Sequence, residues 1–469
     1  APVVSMAMDP RVGATVGGLA EVKEMVAKAA EEKAAEEKAA EEKAAEDATA
    51  AMTAAAAASS AYHERVASGE DHVSVAPRKR VDFGGKLYLA PLTTVGNLPF
   101  RRVCKDFGVD ITCGEMALAT SLLQGSPSEW ALLKRHPCED VYGVQLAGNQ
   151  ANTMGRVAQV INEHISVDFV DINMGCPIDS ICNKGMGASL AQRPGRVQSV
   201  VRTMSTVLTC PLTVKMRVGF DNDKPDAHKL IPKLPGWGAA AITLHGRSRQ
   251  QRYTKSADWT YISRCAALAA DASKRIAVAE WNAANAGGEA VAGEAPSPTA
   301  YFPLGGNGDV FSYEDAVSGM GEGEGGGASF VMVGRGALIK PWVFTEIKER
   351  RHWDISASER LEVLKSFTRY GLEHWGSDDL GVARVRRFLL EWLSFLYRYV
   401  PVGLLERLPA RLQDRPPAFC GRSDLETLLA SSNSADWVKI TEMLLGPVPA
   451  GFSFTPKHKS NAYEGEAQG

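Results

Sequence analysis

Eight short runs of apolar and β-branched residues, each closing on glycine or polar residues and followed by a stretch of helical composition, organise the sequence from Lys86 onward. They are Leu87–Leu92, Asp110–Met116, Tyr142–Ala147, Phe169–Asn173, Leu212–Val218, Ala239–His245, Phe302–Gly306 and Phe330–Val333. Most intervals between them are long enough for a crossover helix, as in Gln198–Leu208. Strand and helix alternating eight times predict an α/β fold, a (β/α)8 TIM barrel, because each parallel strand needs a long return path over the sheet. An open, doubly wound sheet is the alternative reading of the same alternation.

After Pro341 the strand pattern stops. Helical segments follow at Ser358–Trp375, Val382–Tyr399, Ser423–Ala430 and Ser434–Leu445. An all-α C-terminal domain is therefore expected over residues 346–463, behind a barrel over 81–345. Ala270–Ala300, rich in Ala, Gly, Glu and Pro, reads as a surface insertion, since lengthening a loop adds little closure entropy. Gly319–Gly327 reads as a glycine-rich loop before the last strand. Residues 1–80 differ in kind, with Glu31-Glu32-Lys33-Ala34-Ala35 recurring three times through Ala45 and a pure alanine run at Ala54–Ala58. A five-residue period keeps no apolar stripe on one helix face, so this extension is expected to be a low-complexity spacer, helical or disordered.

The formal net charge of −3 gives no global basic footprint, so any nucleic-acid contact must rest on a local patch. Eight cysteines, at 104, 113, 138, 176, 182, 210, 265 and 420, are scattered without zinc-ligand spacing. They read as reduced thiols with no metal site, which makes cytoplasm or nucleus the expected compartment and leaves an organelle open. No stretch approaches the roughly 18 uninterrupted apolar residues of a membrane span. A monomer is expected. The chain starts at Ala1 without methionine, so an upstream segment is also expected.

Enzymes built on such barrels place their chemistry where the strands end. Polar residues that a buried strand would avoid recur there: Pro91 with Thr93, Glu115, Gln145, Asn173 with Cys176, Lys215 with Arg217, His245 with Arg247, Asn307 with Asp309, and Gly334 with Arg335. Any one has a structural explanation, such as a helix cap or a satisfied core histidine. Eight in phase point to a site. Phosphate sites in these barrels are often built from the last two strand-end loops, and Gly306-Asn307-Gly308-Asp309 and Gly334-Arg335-Gly336 fall in them. Glycine lets backbone N–H groups approach an anion and Arg335 adds charge, so a phosphorylated ligand is expected. Lys215, inside the largely apolar Thr213–Arg217 run, needs an anionic partner if it points inward. Arg386 and Arg387 lead into an apolar helix. That pattern alone fits core packing, and together with Arg398, Arg407, Arg411 and Arg415 it suggests a phosphate-contacting surface.

These residues resemble the tRNA-dihydrouridine synthases. The likeness runs through Leu89-Ala90-Pro91-Leu92-Thr93, Pro99-Phe100-Arg101, Val144-Gln145-Leu146-Ala147-Gly148, Asn173-Met174-Gly175-Cys176-Pro177, Thr213–Arg217, His245-Gly246-Arg247 and Gly306–Asp309. It extends to features of the eukaryotic type 3 branch at Ala257-Asp258-Trp259, Lys340–Glu349, Glu373–Ser377, Arg386–Tyr399 and Thr455–Lys459, covering residues 80 to 463. The resemblance implies an FMN-bearing barrel followed by a helical tRNA-binding domain, with NADPH or NADH as reductant. It implies reduction of a uridine in tRNA, at position 47, to 5,6-dihydrouridine, with mRNA as a further candidate substrate. Carried over position by position, Pro91, Leu92, Thr93, Gln145, Lys215, His245, Asn307, Gly308, Asp309, Gly334 and Arg335 would hold FMN, and Cys176 would be the catalytic acid. Asn173, Lys184, Arg217 and Arg247 are candidates for holding the base or nearby phosphates, and Arg386 and Arg387 for contacting tRNA.

The sequence also departs from the family pattern. Type 3 members carry paired CCCH zinc fingers ahead of the barrel, where this chain has only its spacer. Leu92 stands where methionine is more usual, and Cys182 where a bulkier residue is usual. Two other functions fit less of the pattern: an FMN barrel reductase of a free small molecule, which would not need the basic helices, and a non-catalytic RNA-binding protein.

Overall fold

A computed structural model of the protein describes residues 79–285, 302–321, 327–414 and 418–457. Nearly all of the spacer read over 1–80 lies outside the described residues, as do 286–301, 322–326 and Arg415. Residues Pro77–Gly469 form one compact unit.

Nine parallel strands are present: β1 Leu87–Leu89, β2 Ile111–Cys113, β3 Ala117–Leu118, β4 Val141–Ala147, β5 Phe169–Met174, β6 Leu212–Arg217, β7 Ala241–His245, β8 Leu304–Asn307 and β9 Phe330–Val333. Eight of them close on themselves. β1 pairs β9 at one side and β2 at the other, and β2 reaches past β3 to pair β4 with Ile111 opposite Val141. β3 is a two-residue strand beside the far end of β4, outside the eight runs read from sequence. The eight staves coincide with the eight sequence runs, and the barrel rather than the open sheet is the fold. Several runs are trimmed. β1 stops at Leu89 because Pro91 has no N–H for the ladder.

Inside a barrel every second residue points to the axis. At the floor these are Tyr88, Phe169, Ala241 and Phe330, with Phe83 packed beneath, its ring centroid 5.7 Å from Phe169 and 5.5 Å from Phe330. Two glycines make the space. A Cβ at Gly143 would stand 2.2 Å from the Phe169 ring, and one at Gly305 would stand 2.0 Å from the Phe330 ring.

The segment read as a surface insertion from Ala270 is partly helix: Trp259–Asn285 continues through its first half. The reason is composition, since Ala-rich sequence without Pro or Gly propagates a helix already begun. Ala269 and Ala272 are buried in it.

Beyond Val333 the described chain is helical. Ser356 caps Ala357–Trp375 in a capping box with Glu359, and Asp378 caps Asp379–Leu396 through the Gly381 N–H. These helices share a hydrophobic cluster with the barrel: Leu87, Leu89 and Val333 belong with Trp392, Leu393 and Trp437. Trp392 donates from its indole nitrogen to the Leu338 carbonyl at 2.9 Å and meets Phe100 edge-on at 5.2 Å. The helix Val343–Glu349 spans the boundary expected at 345 and 346.

Arg386 corrects an expectation. It is 4% exposed and donates to Thr441 Oγ1 at 3.0 Å and to the Gly446 carbonyl at 2.9 Å, beyond the C-terminus of helix Ser434–Leu445. Its charge answers the unsatisfied carbonyls at that helix end, which removes it from any RNA-facing surface. Arg387, next in sequence, is exposed.

Two stability predictions follow from this packing. Gly143→Ala forces the Phe169 ring off its rotamer and is expected to cost about 1–3 kcal/mol in urea unfolding. Arg386→Ala removes the donor from Thr441 and from the part-buried carbonyls at that helix end, and is expected to cost about 1–2 kcal/mol in the same measurement.

Candidate functional site

Above the aromatic floor the inward positions turn polar. Asp171 on β5, 2% exposed, accepts from Thr213 Oγ1 at 2.6 Å and from Gln145 Nε2 at 2.8 Å. Gln145 in turn accepts from Asn173 Nδ2 at 2.8 Å. Asp171 and Thr213 are absent from the residues singled out in the sequence. Their signal was available: both share the period-two phase of Asn173, Lys215 and Arg217 on adjacent strands.

Cations crowd the mouth of the barrel. Lys215 Nζ donates to Asn307 Oδ1 at 3.2 Å, and burial followed by repulsion from Arg217 lowers its pKa to about 8. Arg217 is drawn down to about 10, first by burial. His245 is held neutral, well below its usual range, by burial and then by Arg217, Lys215, Arg247 and Arg335. Arg335 is also lowered, by burial and then by Arg247. Asp171 faces Lys215 from within the barrel, but burial raises its own pKa to about 6. A cluster of groups whose positive forms are all disfavoured is prepared for an anion.

Asp309 organises the phosphate end of this cluster. Its carboxylate accepts two bonds from Arg247 Nη2, at 2.8 and 2.7 Å, and one from Arg335 Nη2 at 3.1 Å. The Ala257 N–H, at 2.7 Å, and Gln413 Nε2, at 3.1 Å, complete the shell. A carboxylate facing an incoming phosphate would repel it, so Asp309 is placed behind the arginines, orienting them.

Arg247 is also corrected. Fully buried, it donates to the Lys255 carbonyl and to Asp309, out of reach of an RNA surface. Its Nη1 is buried without a hydrogen-bond partner. That nitrogen lies 3.5 Å from where a Cβ on Gly308 would be, and His245 Nε2 lies 3.7 Å from the same point. Gly308 has φ +121°, which only glycine adopts readily. The Ala257 Cβ, at 2.7 Å from that point, is nearer still, so Gly308 packs closely among a methyl, a neutral imidazole and an orphaned guanidinium nitrogen. Gly334, near Ala90 and Leu92, opens the adjoining loop, and Arg335 stacks 4.5 Å over the ring of the half-exposed Tyr253.

Cys176 stands at the end of β5, half-buried. Asn173 Oδ1 accepts the N–H groups of Gly175 at 3.2 Å and Cys176 at 2.9 Å. Arg217, a candidate from sequence for holding the base or nearby phosphates, donates to the Gly175 carbonyl at 2.8 Å and the Ser248 carbonyl at 2.9 Å. Burial raises the Cys176 thiol above its usual value, against the pull of Ile178 N–H, Arg217 and Lys215. Pro91, Leu92 and Thr93 line the β1 end of the mouth with graded exposure. Lys184 is exposed, and its carbonyl accepts from Asn149.

The C-terminal part of the chain reaches this mouth by the Gln413–Asp309 bond. A cavity of about 350 Å³ lies in the same segment, lined by Phe311, Ile339, Arg398, Arg407, Arg411 and Leu412. Among the described residues no group of three or more His, Cys, Asp or Glu could hold a metal ion, and no helix is long and apolar enough to cross a membrane.

Comparison with known proteins shows the family of the chain. The family model for dihydrouridine synthase (Dus) matches residues 88–269 and 298–394. A rat protein named tRNA-dihydrouridine(47) synthase [NAD(P)(+)]-like is 59% identical over 397 residues, covering 84% of this chain and 57% of the relative. Human and rice proteins of the same name are 57% and 54% identical, with 56% and 52% of their lengths covered. The chain therefore spans a little over half the length of these relatives. Over that span, with its barrel and strand-end residues, it belongs to the dihydrouridine synthase family.

Proposed function

We propose that the protein reduces uridine in tRNA to 5,6-dihydrouridine, at position 47, using FMN and NADPH or NADH. The observation that carries this reading is the cation cluster of buried Arg217 and Arg247 with half-buried Lys215 and Arg335, beside a half-buried thiol. FMN fits the donor set. Gly308, Gly334, Arg335 and the orphaned Arg247 Nη1 suit its phosphate, and Lys215 with Asn307, Gln145 and neutral His245 suits the polar edge of its ring. When bound, FMN supplies electrons taken from NADPH or NADH to C6 of the uracil ring as hydride.

The chain's own residues supply the rest. Reduction at C6 leaves C5 in need of a proton, and Cys176 Sγ–H donates it as general acid. Burial keeps that thiol protonated at neutral pH. Asn173 and Arg217 fix the peptide that carries it. A uridine within folded tRNA has to be unstacked to reach the barrel mouth. Exposed Arg252 and Lys255 on the β7 loop, with Arg407 and Arg411 on the C-terminal segment, offer charge for the surrounding phosphates.

The purified protein is expected to show the visible absorbance of bound flavin and to form dihydrouridine in unmodified tRNA. Cys176→Ala is expected to keep the flavin while product formation falls about a hundredfold or more, the contribution of a general acid. Full activity in that variant would sink the assignment. With the thiol pKa raised, the alkaline limb of the Cys176-dependent rate should lie above the ordinary thiol value of about 8.5. Below that limb the acid is protonated and the rate is flat. Lys215→Met removes a cation facing the ligand and is expected to weaken flavin retention about tenfold or more, measured by equilibrium dialysis.

A further inference from the structure

Asp171 lies in the middle of the barrel, and the proposed reaction assigns it no part. A carboxylate buried at 2% exposure is costly unless its oxygens do something a packed apolar residue could not. Its two oxygens accept from opposite sides, Oδ1 from Thr213 and Oδ2 from the Gln145 amide. An ionised carboxylate can only accept. Gln145 must therefore turn its nitrogen toward Asp171 and its oxygen away, to where Asn173 Nδ2 donates at 2.8 Å. Asn173, its nitrogen engaged, is left with Oδ1 facing the N–H groups of Gly175 and Cys176.

We infer that Asp171 is a positioning residue for Cys176, setting through Gln145 and Asn173 the orientation of the Gly175–Cys176 peptide. The order of donors and acceptors along the chain admits one direction, anchored at one end by Asp171 and at the other by the two backbone N–H groups. The far side of the same peptide is equally constrained. Arg217 Nε holds the Gly175 carbonyl, while the Ala188 N–H at 3.1 Å and Cys182 Sγ–H at 3.3 Å hold the Cys176 carbonyl. Gly187, at φ +57°, packs so closely that a Cβ there would stand 2.8 Å from the Cys176 carbonyl oxygen. With both carbonyls and both N–H groups engaged, the backbone of Cys176, and with it the direction of its Cα–Cβ bond, is set. This inference takes its catalytic meaning from the reading of Cys176 as proton donor, while the relay itself can be tested on the thiol alone.

The test uses the full chain, with Asp171→Leu, which is close in size and has no acceptor, and Asp171→Asn. The asparagine keeps an oxygen for Gln145 and can donate to Thr213, whose hydroxyl accepts as well as donates. Alkylation of Cys176 by iodoacetamide is followed against pH by mass spectrometry of the peptide that contains it. Circular dichroism reports folding, and flavin absorbance is read separately. Cys182, Arg217, Lys215 and the Ile178 N–H face the thiol and are unchanged in both variants.

Asp171→Leu is expected to free the half-buried sulfur, speeding alkylation about tenfold and moving its pH midpoint down toward an ordinary thiol. Asp171→Asn is expected to stay within about twofold of the parent, because the relay survives. An unchanged rate and midpoint in folded Asp171→Leu would overturn the inference, as would an Asp171→Asn variant that behaves like it. If Asp171→Leu does not fold, Thr213→Val decides: a smaller shift of the same sign supports the relay and no shift overturns it. Absence of flavin from the parent protein would count against the proposed reduction and leave the thiol measurement intact.

Discussion

Closing eight parallel strands on themselves leaves every second side chain pointing to the barrel axis, and the protein divides those positions by depth. At the floor, Phe83, Tyr88, Phe169 and Phe330 exclude water, and Gly143 and Gly305 provide the room their rings need. One step higher the same alternation delivers Asp171, Gln145 and Thr213. Higher still it delivers Asn173, Lys215, His245 and Asn307 at the mouth. The chemistry of the site depends on this layering, because a dry floor makes each charge above it interact more strongly.

The mouth holds more positive charge than its carboxylates neutralise. Burial and mutual repulsion push Lys215 to about 8 and keep His245 neutral. Groups held against their own preference are stabilised by a ligand of opposite sign. Asp309 limits the strain by holding Arg247 and Arg335 together, and its left-handed backbone, φ +57°, aims the carboxylate back at them. The orphaned Arg247 Nη1 is what remains after that neutralisation.

The helices beyond the barrel contribute in two ways. They share a hydrophobic cluster with β1 and β9, so barrel and helices are packed as one body. They also return a segment to the mouth, where Gln413 meets Asp309. Arg386 shows why basic residues on an amphipathic helix are poor guides to a surface: its guanidinium is taken up by the end of a neighbouring helix.

By itself the sequence determined the eight strands, the helices that follow them and the phase of the polar residues at strand ends. These follow from short-range physics: strand runs and helix caps are local, and a period of two fixes which residues share a face. Family likeness, carried by contiguous motifs around Cys176, Lys215 and His245, was legible for the same reason. What only the tertiary structure decided is how those residues are divided among roles. Arg217 and Arg247 read from sequence as candidates for holding a base or nearby phosphates, and three-dimensional packing engages them with the Gly175 carbonyl and with Asp309. Asp171 shares the period-two phase of Asn173, but its role could not be read because its partners, Gln145 and Thr213, lie 26 and 42 positions away and meet it only when the barrel closes. Hydrogen-bond direction depends on which groups meet in space, and no local pattern encodes it.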